Sequence, residues 1–348
     1  MLSLHDAQKE FEPSRLYVNT ASIGLPPRCA VTALSDAVEL WRTGRAEAAG
    51  YDAMVTRCRE RFATLVGTTP DRVAIGNQVA TFTALVASAL PDGARVLAAE
   101  EDFTSVIYPF LAHADRGVQV KTVPLAELVG AIRPGVDLVA VSAVQSADGR
   151  IVPGGLDALA DTAARHDCLT YLDITQAAGW LPIPVDRFDF VACAGYKWLM
   201  SPRGSAFGVV RPERLSMLRP LYASWYAGDD IWTSIYGSGM RLSPDARRFD
   251  ISPAWLVWEG TLPALELLLD VGVETIHRHD VALTNALRAR LDLPPGDSAI
   301  VSLTVPDAME RLRSANIAAA VRAAGVRVSF HLHNTEADVD AVARALGR

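Results

Sequence analysis

The sequence has few cysteines, no long apolar run and no excess of positive charge. Its 348 residues include four cysteines, and none of them forms a C-x-x-C pair: Cys29, Cys58, Cys168 and Cys193. This spacing predicts unpaired thiols of a reducing compartment rather than a disulfide framework or a zinc site. The longest apolar stretch, residues 79–90, is too short to cross a bilayer. Residues 1–15 are charged and lack the apolar core of a signal peptide. We therefore expect a cytoplasmic protein without a membrane partner.

The balance of charge gives no electrostatic reason to expect a polyanionic partner. The chain carries 33 basic and 40 acidic residues, for a net charge of −7. Nucleic-acid-binding domains and anionic-membrane binders present concentrated positive charge, which is absent here. Half of the residues are hydrophobic and 21% are charged, which is ordinary for an α/β enzyme. The composition therefore favours an enzyme with a small-molecule substrate, and no motif predicts a metal site.

Short apolar runs alternate with helical patterns through most of the chain, with helices expected at residues 32–65, 78–90 and 156–166. Such alternation predicts an α/β fold with a mainly parallel sheet that helices cover on both faces. In such sheets, ligands bind at the carboxyl ends of the strands. The predicted strands are Arg72–Ile75, Arg95–Ala98, Val118–Val123, Asp137–Val141, Cys168–Leu172, Phe188–Val191 and Ala206–Val210.

The pattern changes after the sheet region, which suggests a second unit. Residues 212–255 are richer in aromatics, glycine and proline, and a long helix is expected at residues 258–287. Strands at 299–304 and 326–329, with helices at 307–324 and 335–346, then complete a smaller α+β region. We predict a large domain at residues 15–255 and a small C-terminal domain at 256–348, with residues 1–14 packing near it.

A carboxylate and a lysine follow two successive predicted strands. Asp173 ends one strand, and the next apolar run delivers Tyr196, Lys197 and Trp198. This is the layout of a pyridoxal 5′-phosphate (PLP) site, in which a lysine forms a Schiff base and a carboxylate keeps the ring nitrogen protonated. An unpaired ammonium in an apolar stretch is costly, and an imine with the cofactor removes that cost. The sequence therefore predicts Lys197 and Asp173 as catalytic residues.

A glycine turn between a predicted strand and a helix is a candidate phosphate site. Residues 76–79 read Gly-Asn-Gln-Val and open the helix at 78–90. Backbone N–H groups at a helix N-terminus, aided by the helix dipole, suit a phosphate. Such a turn is a weak signal alone, because many of them bind nothing. We predict that Asn77, Gln78 and Val79 hold the cofactor phosphate.

Together these segments resemble the class V aminotransferase-fold (fold type I) PLP enzymes, the group of cysteine desulfurases, kynureninase and isopenicillin N epimerase. The resemblance extends from Asn19–Gly24 to Arg327–Glu336. It implies a fold type I architecture, with a large domain around a mainly parallel seven-stranded sheet and a smaller α+β domain. It also implies a homodimer with active sites near the subunit interface.

The resemblance assigns further roles residue by residue. Phe103 takes the place of the aromatic that stacks on the cofactor ring, and core packing is its alternative role. Arg327 matches the arginine that holds the substrate carboxylate, for which a guanidinium is suited; a surface arginine on a strand is the alternative. The remaining implied cofactor and substrate residues are Ser146, Gln176, Tyr196 and Asn19.

The chain departs from the family pattern at the phosphate and at the thiol. Relatives place Ser and His shortly before the lysine as phosphate ligands, where this chain has Ala194 and Tyr196. Tyr196 retains a hydroxyl donor that Ala194 lacks. Other groups must therefore supply part of the phosphate contacts, and a second subunit is one candidate source. No cysteine lies shortly before Arg327, where desulfurases carry their sulfur-accepting thiol. A persulfide mechanism is therefore not expected.

An aromatic segment follows the sheet region and gives the finest resemblance. Residues 223–255 and the segment 196–204 are similar to the C–S lyase of ergothioneine biosynthesis, with a weaker match at the amino-terminal end. Trp225 and Tyr226 are candidates to face a quaternary ammonium through cation–π contacts. Aromatic packing at a dimer interface is the alternative.

The same residues support two reactions on an L-amino acid. In both, the substrate forms an external aldimine and Lys197 removes the Cα proton, and the carbanion delocalises into a ring kept charged by Asp173. A leaving group on Cβ then gives β-elimination, as in a C–S lyase, which we place first. Without one, the result is transamination. A non-catalytic PLP-fold protein is a third hypothesis.

Overall fold

The computed structural model describes residues 2–322 and 325–348. Its α-helices are α1 (Leu4–Gln8), α2 (Arg28–Arg42), α3 (Ala48–Val66), α4 (Val79–Ala89), α5 (Thr104–Leu111), α6 (Leu128–Ala131), α7 (Gly155–Arg165), α8 (Trp255–Val271), α9 (Val273–Arg290), α10 (Ala308–Ser314) and α11 (Glu336–Ala345). Its strands are β1 (Leu16–Tyr17), β2 (Val73–Gly76), β3 (Arg95–Ala99), β4 (Gln119–Val123), β5 (Leu138–Ser142), β6 (Leu169–Asp173), β7 (Phe190–Ala194), β8 (Ala206–Val210), β9 (Ile300–Leu303), β10 (Ile317–Ala318), β11 (Ala320–Arg322) and β12 (Gly325–Ser329).

The large sheet has seven strands in the order β2-β8-β7-β6-β5-β3-β4. Strand β8 is antiparallel to both of its neighbours, and the other pairings are parallel. Strands β5, β7 and β8 are buried at every residue, as expected for central strands covered on both faces. The predicted mainly parallel seven-stranded sheet is therefore confirmed.

Alternate residues of each central strand feed two separate hydrophobic cores. In β5, Val139 and Val141 join the core that also contains α3, α7 and α8, whereas Leu138 and Ala140 join the core under α4 and α5. This follows from the two-residue period of a strand, whose side chains point to opposite faces. Helices on both sides leave the carboxyl edge of the sheet as the place where polar side chains gather.

A buried ion pair fixes the edge strand that leads into the candidate phosphate turn. Arg59 of α3 donates to Asp250 at 2.6 Å between Nη2 and Oδ2, and both side chains are buried. The other oxygen of Asp250 accepts the N–H of Ile75 in β2 at 2.8 Å. Gly76 then ends β2 against Phe82 of α4, where an added Cβ would lie 2.9 Å from the ring. Glycine is therefore required for this close approach.

A second, smaller group of strands lies towards the C-terminus. Strands β11, β12 and β9 form an antiparallel sheet in that order, and β1 pairs with β10 in parallel. A third core joins these strands to α9, α10 and α11. Helix α8 packs against α2 and α3 of the large region. The domain division at residues 255 and 256 stays a prediction.

Three expected helices differ from the structure. The helix expected at 32–65 is interrupted at Gly44, and the one at 258–287 is interrupted at Gly272, each with a positive φ, of 70° and 87° respectively. Such a backbone costs little for glycine. The helix expected at 307–324 is wrong beyond residue 314, because β10 and β11 follow. Residues 323–324 of that expectation lie outside the described residues.

Candidate functional site

Two neighbouring strands deliver the predicted catalytic pair to one edge of the sheet. Strands β6 and β7 are parallel, with Asp173 opposite Ala192. Asp173 is the last residue of β6, and Lys197 follows the end of β7 by three residues. Both side chains line one cavity of about 330 Å³ at the carboxyl ends of the strands. This volume is within the range of small-molecule sites.

The cavity gathers the predicted cofactor residues. All nine of them line it: Asn77, Gln78, Val79, Phe103, Ser146, Asp173, Gln176, Tyr196 and Lys197. Six more lining residues received no role from the sequence: Ser105, Ser142, Thr175, Ala194, Arg203 and Gly204. The lining residues come from the segments at the carboxyl ends of five strands, β2, β3, β5, β6 and β7. The role of each residue stays a prediction, but the nine predicted cofactor residues lie in one site.

The amine of Lys197 is buried without an anionic contact. The side chain is 7% exposed and forms no ion pair or side-chain hydrogen bond with the described residues. Its Nζ lies 5.5 Å from the centroid of the Phe103 ring and 5.7 Å from that of Tyr196. Burial lowers the pKa of Lys197 to about 8, while the charge of Asp173 acts in the opposite direction. This shift increases the fraction of the neutral, nucleophilic amine near neutral pH.

The carboxylate of Asp173 is held from one side only. Its Oδ1 accepts the N–H of Thr175 at 2.8 Å, and Oδ2 has no hydrogen bond among the described residues. Burial raises the pKa of Asp173 to about 6, with a smaller contribution from the nearby carboxylate of Asp102. The free oxygen is available to a protonated ring nitrogen, and such a cation would lower this pKa again.

The start of α4 offers free donors to the same cavity. Gln78 precedes the helix and provides no side-chain cap, so the N–H groups of Val79 and Ala80 have no partner among the described residues, whereas that of Thr81 donates to Gln78 O at 3.3 Å. The Oδ1 of Asn77 accepts the Thr81 hydroxyl at 3.0 Å. This bond orients the Asn77 amide and leaves its NH₂ group free. The arrangement suits a phosphate, as the sequence predicts.

Ser146 and Gln176 form a hydrogen-bond network in which Ser146 keeps a hydroxyl proton available to donate. Both amide protons of Gln176 are used, because Nε2 donates to Ala21 O at 2.9 Å and to Ser146 Oγ at 3.0 Å. Its Oε1 accepts the indole N–H of Trp198 at 2.8 Å. The Ser146 hydroxyl also accepts from Arg327 at 3.2 Å, so its own O–H remains to donate. Ser146 is thus the better donor to a ligand oxygen.

Arg327 reaches this network as a buried cation without an anion. Its side chain is 1% exposed, and it forms no ion pair with the described residues. Its Nη1 donates to the backbone oxygen of Ser146, and Nη2 donates to Ser22 Oγ at 2.7 Å. Its Nε has no hydrogen-bond partner among the residues that the structure describes. Burial lowers the pKa of Arg327 to about 10, and the charge of Arg322 adds to the effect. A carboxylate ligand would neutralise the buried charge of Arg327 and would also offset its repulsion by Arg322.

The structure does not bring the other predicted substrate residues to the cavity. Asn19 forms a backbone bridge with Ser329, and its side-chain oxygen is buried without a partner. Tyr226 lies in a separate cavity and donates to Asp52 at 2.8 Å. Trp225 packs edge-on against Tyr226, with 5.2 Å between ring centroids. Within one chain, the two aromatics therefore serve packing rather than the Lys197 site.

None of the four cysteines lines the cavity. Burial raises the pKa of Cys29 to about 11 and that of Cys168 to about 12, and it raises the pKa of Cys58 and Cys193 further. Their thiols are therefore protonated and poorly nucleophilic at neutral pH. Within residues 2–322 and 325–348, no group of three or more His, Cys, Asp or Glu side chains is placed to hold a metal ion. In the same residues, no helix is long and apolar enough to cross a membrane.

A family model described as "Aminotransferase class-V" matches residues 42–320. Among curated proteins, the uncharacterized aminotransferase YcbU of Bacillus subtilis is 28% identical over 303 residues, which cover 81% of this chain and 80% of that protein. The isopenicillin N epimerase of Streptomyces clavuligerus is 28% identical over 340 residues, which cover 84% of each chain.

Solved structures share the fold at lower identity. A mutant of C-DES with glycine covalently linked to its PLP cofactor has a TM-score of 0.87 at 20% identity, with 100% of both chains covered. The apo cysteine desulfurase of Thermococcus onnurineus NA1 has a TM-score of 0.85 at 19% identity, with 99% of this chain and 97% of that one covered. The predicted fold type I architecture is confirmed.

The residues of the cavity fit pyridoxal phosphate. Lys197 presents an unpaired amine, and Asp173 an oxygen that lacks a partner among the described residues. Phe103 is 48% exposed and offers a ring face beside that amine. The start of α4 supplies unpaired donors at another side of the same cavity. These are the partners required by an aldehyde carbon, a ring nitrogen, an aromatic ring and a phosphate.

Trapping the imine tests the lysine assignment. The chain has three lysines, Lys9, Lys121 and Lys197, so borohydride reduction followed by peptide mapping has few alternatives. We expect the pyridoxyl mass on the Lys197 peptide alone. Lys197→Ala should lose this mark and the visible absorbance of the lysine-linked cofactor. Lys121→Ala, a change at an exposed lysine, should keep both. A reducible cofactor linkage that survives in Lys197→Ala would contradict the assignment.

Proposed function

The chain belongs to the class V aminotransferase family and is a PLP-dependent enzyme, and we propose that it cleaves a C–S bond of an L-amino acid by β-elimination. The observation that carries this proposal is the buried, unpaired amine of Lys197 in one cavity with Asp173, beside the anion-free guanidinium of Arg327. These groups match an amino acid placed with its Cα between the amine and the cofactor.

Each residue has a defined task in this reaction. Arg327 and Ser22 hold the α-carboxylate and so orient the Cα–H bond towards Lys197. Lys197 would hold the cofactor until the substrate amino group displaces its amine, and the cofactor would then supply a ring that takes up the electron pair of a bond broken at Cα. Asp173 keeps the proton on the ring nitrogen. The Lys197 amine, whose pKa is lowered to about 8 by burial, accepts the Cα proton and can return it to the leaving sulfur.

Two features support elimination over a desulfurase-type reaction. The four thiols lie outside the cavity and stay protonated, so the chain offers no nucleophile to accept a sulfur atom from the substrate. A C–S lyase needs no such thiol, because the sulfur leaves with its own substituent. The structural likeness to a cystine C–S lyase, C-DES, fits this reaction. The finer resemblance to the ergothioneine C–S lyase also supports it.

Transamination is the second candidate, because it uses the same groups. Lys197 would then move a proton from Cα to the cofactor carbon rather than to a leaving group. One of the matching curated proteins is named an aminotransferase. A non-catalytic PLP-fold protein, the third hypothesis, would hold the cofactor without spectral response to any amino acid.

Products separate these functions. With S-substituted L-cysteines, we expect the holoenzyme to release pyruvate, ammonia and the corresponding thiol in equal amounts. Accumulation of the amine form of the cofactor, with turnover only when a keto acid is added, would instead establish transamination.

Arg327→Ala should raise KM by at least about tenfold, as expected for a lost charge-assisted hydrogen bond, while the cofactor content stays unchanged. An equal loss of cofactor would make Arg327 structural.

We also propose a homodimer in the cytoplasm. Residues 221–240 expose Leu221, Tyr222, Trp232, Ile235, Tyr236 and Met240. Contiguous exposed apolar side chains are typical of interfaces, and a second copy that covers this stretch fits the family pattern. The cytoplasmic location is inferred from the four free thiols.

Light scattering tests the dimer. The molar mass measured for the protein in solution should be twice the 37.4 kDa of one chain. Changing both Tyr236 and Met240, which are 92% and 74% exposed, to Asp should shift the mass towards that of one chain without loss of helical signal. A wild-type mass of one chain would exclude the dimer.

A further inference from the structure

A second arginine shares a hydroxyl with the predicted carboxylate-binding arginine. Ser22 Oγ accepts from Arg327 Nη2 at 2.7 Å and from Arg322 Nη2 at 3.2 Å. Arg322 also donates to the backbone oxygen of Val321 at 2.7 Å. Neither arginine forms an ion pair with the described residues, so two cations meet at one neutral oxygen.

The strand register explains why the two side chains meet. Strands β11 and β12 are antiparallel, and Ala320 pairs with Arg327. Arg322 lies two residues from Ala320 and therefore projects from the same face of the sheet as Arg327. Arg327 is buried, whereas Arg322 is exposed. The pair thus runs from the interior of the protein, next to Ser146 of the cavity, to the protein surface.

The charges of this pair are not balanced by the protein. The charge of Arg322 contributes to the lowered pKa of Arg327, and both arginines contribute to the lowered pKa of Lys197, after burial in each case. Two neighbouring guanidinium groups repel each other, and burial makes the repulsion more costly. One α-carboxylate would neutralise one of them. The second, Arg322, is exposed and remains available to another negative charge on the ligand.

We propose that Arg322 is a specificity residue that binds an acidic group on the substrate side chain. The substrate class is then an L-amino acid with a second carboxylate or a similar anion, such as a cysteine whose sulfur carries a carboxyalkyl group. This inference rests on the proposed function, in which Arg327 holds the α-carboxylate.

Isosteric ligand pairs test the subsite. Binding of L-aspartate against L-asparagine, and of L-glutamate against L-glutamine, is measured by the absorbance change of the holoenzyme. We expect each acid to bind at least about tenfold more tightly than its amide, as for a charge-assisted hydrogen bond. Arg322→Gln should remove this preference while it changes amide binding less than about twofold. Arg313→Gln is the matched control, because Arg313 is also exposed and forms no ion pair within the described part of the chain.

The possible results distinguish failure of the Arg322 subsite from failure of the proposed function. Equal binding of acids and amides to the wild type would overturn the subsite. Equal weakening of both by Arg322→Gln would also overturn it, because both arginines would then hold the α-carboxylate. If no amino acid, acidic or neutral, changed the absorbance of a holoenzyme linked through Lys197, the proposed function itself would fail together with the subsite.

An independent observation concerns the cofactor phosphate. Among the residues that line the cavity, Lys197 and Arg203 are the only cations. Lys197 is committed to the aldehyde carbon. The guanidinium carbon of Arg203 lies 4.6 Å from the centroid of the Tyr196 ring, which provides a flat support for it. Arg203 forms no ion pair with the described residues, and it lines the same cavity as the start of α4.

We infer that Arg203 binds the cofactor phosphate, with Tyr196 as its support. A phosphate dianion needs positive charge, and backbone N–H groups supply only part of it. At Ala194, a methyl group lines the wall where relatives carry a hydroxyl, so Arg203 would supply the missing donor.

Comparing PLP with pyridoxal, which lacks the phosphate, isolates this contact. Arg203→Gln should raise the dissociation constant of PLP at least about tenfold and leave that of pyridoxal unchanged, both measured by imine absorbance on the apoprotein. Arg203→Lys should recover part of the loss, and Arg313→Gln should change neither constant. Unchanged PLP binding in Arg203→Gln would overturn the inference. Equal weakening of both ligands would also do so, because it would indicate a structural role.

Discussion

The site depends on keeping one amine and one carboxylate buried at the ends of adjacent parallel strands. Strands β6 and β7 set the spacing between Asp173 and the segment that carries Lys197. Burial moves both pKa values towards neutrality, that of Asp173 to about 6 and that of Lys197 to about 8. Without a cofactor, the amine and the carboxylate therefore do not neutralise each other effectively, and burial destabilises the charged form of each. A ring with a cationic nitrogen and an aldehyde carbon would satisfy both groups at once.

Positive charge surrounds this pair unevenly, and the imbalance indicates what the site receives. Arg327 and Arg322 converge on Ser22, and Arg203 lies against Tyr196. The remaining buried acid nearby, Asp102, is occupied by Ser142 and Gln145. The protein therefore supplies cations without anions at two places. Such an arrangement is costly for the buried Arg327, and anionic ligands, for which we propose a phosphate and an acidic amino acid, would make it favourable.

The sequence was sufficient for the features that local pattern controls. Apolar runs located all strands of the large sheet within a few residues, and strand ends located Asp173 and Lys197. The sequence was insufficient where pairing between distant parts of the chain determines whether a segment is a helix or a strand. Residues 317–322 read as a continuation of α10, yet Ile317 and Ala318 pair with β1, some 300 positions earlier in the chain. For the same reason Arg322 appeared as one helical arginine among several. Arg203 carries no local sequence signal, because only the folded loop after Lys197 brings it to the cavity.

Trp198 connects the lysine segment to the C-terminal region by bonds that carry no net charge. Its indole N–H donates to Gln176, and its carbonyl oxygen lies 3.0 Å from Nε2 of His331. Because a carbonyl only accepts, Nε2 must carry the proton. Burial lowers the pKa of His331 to about 3, so its Nδ1 is an acceptor. Asp280, 2.8 Å away, must then donate, in agreement with a pKa that burial raises well above its usual value. A neutral clamp of this kind holds the residue next to Lys197 without adding a charge that would oppose Asp173 or disturb the amine.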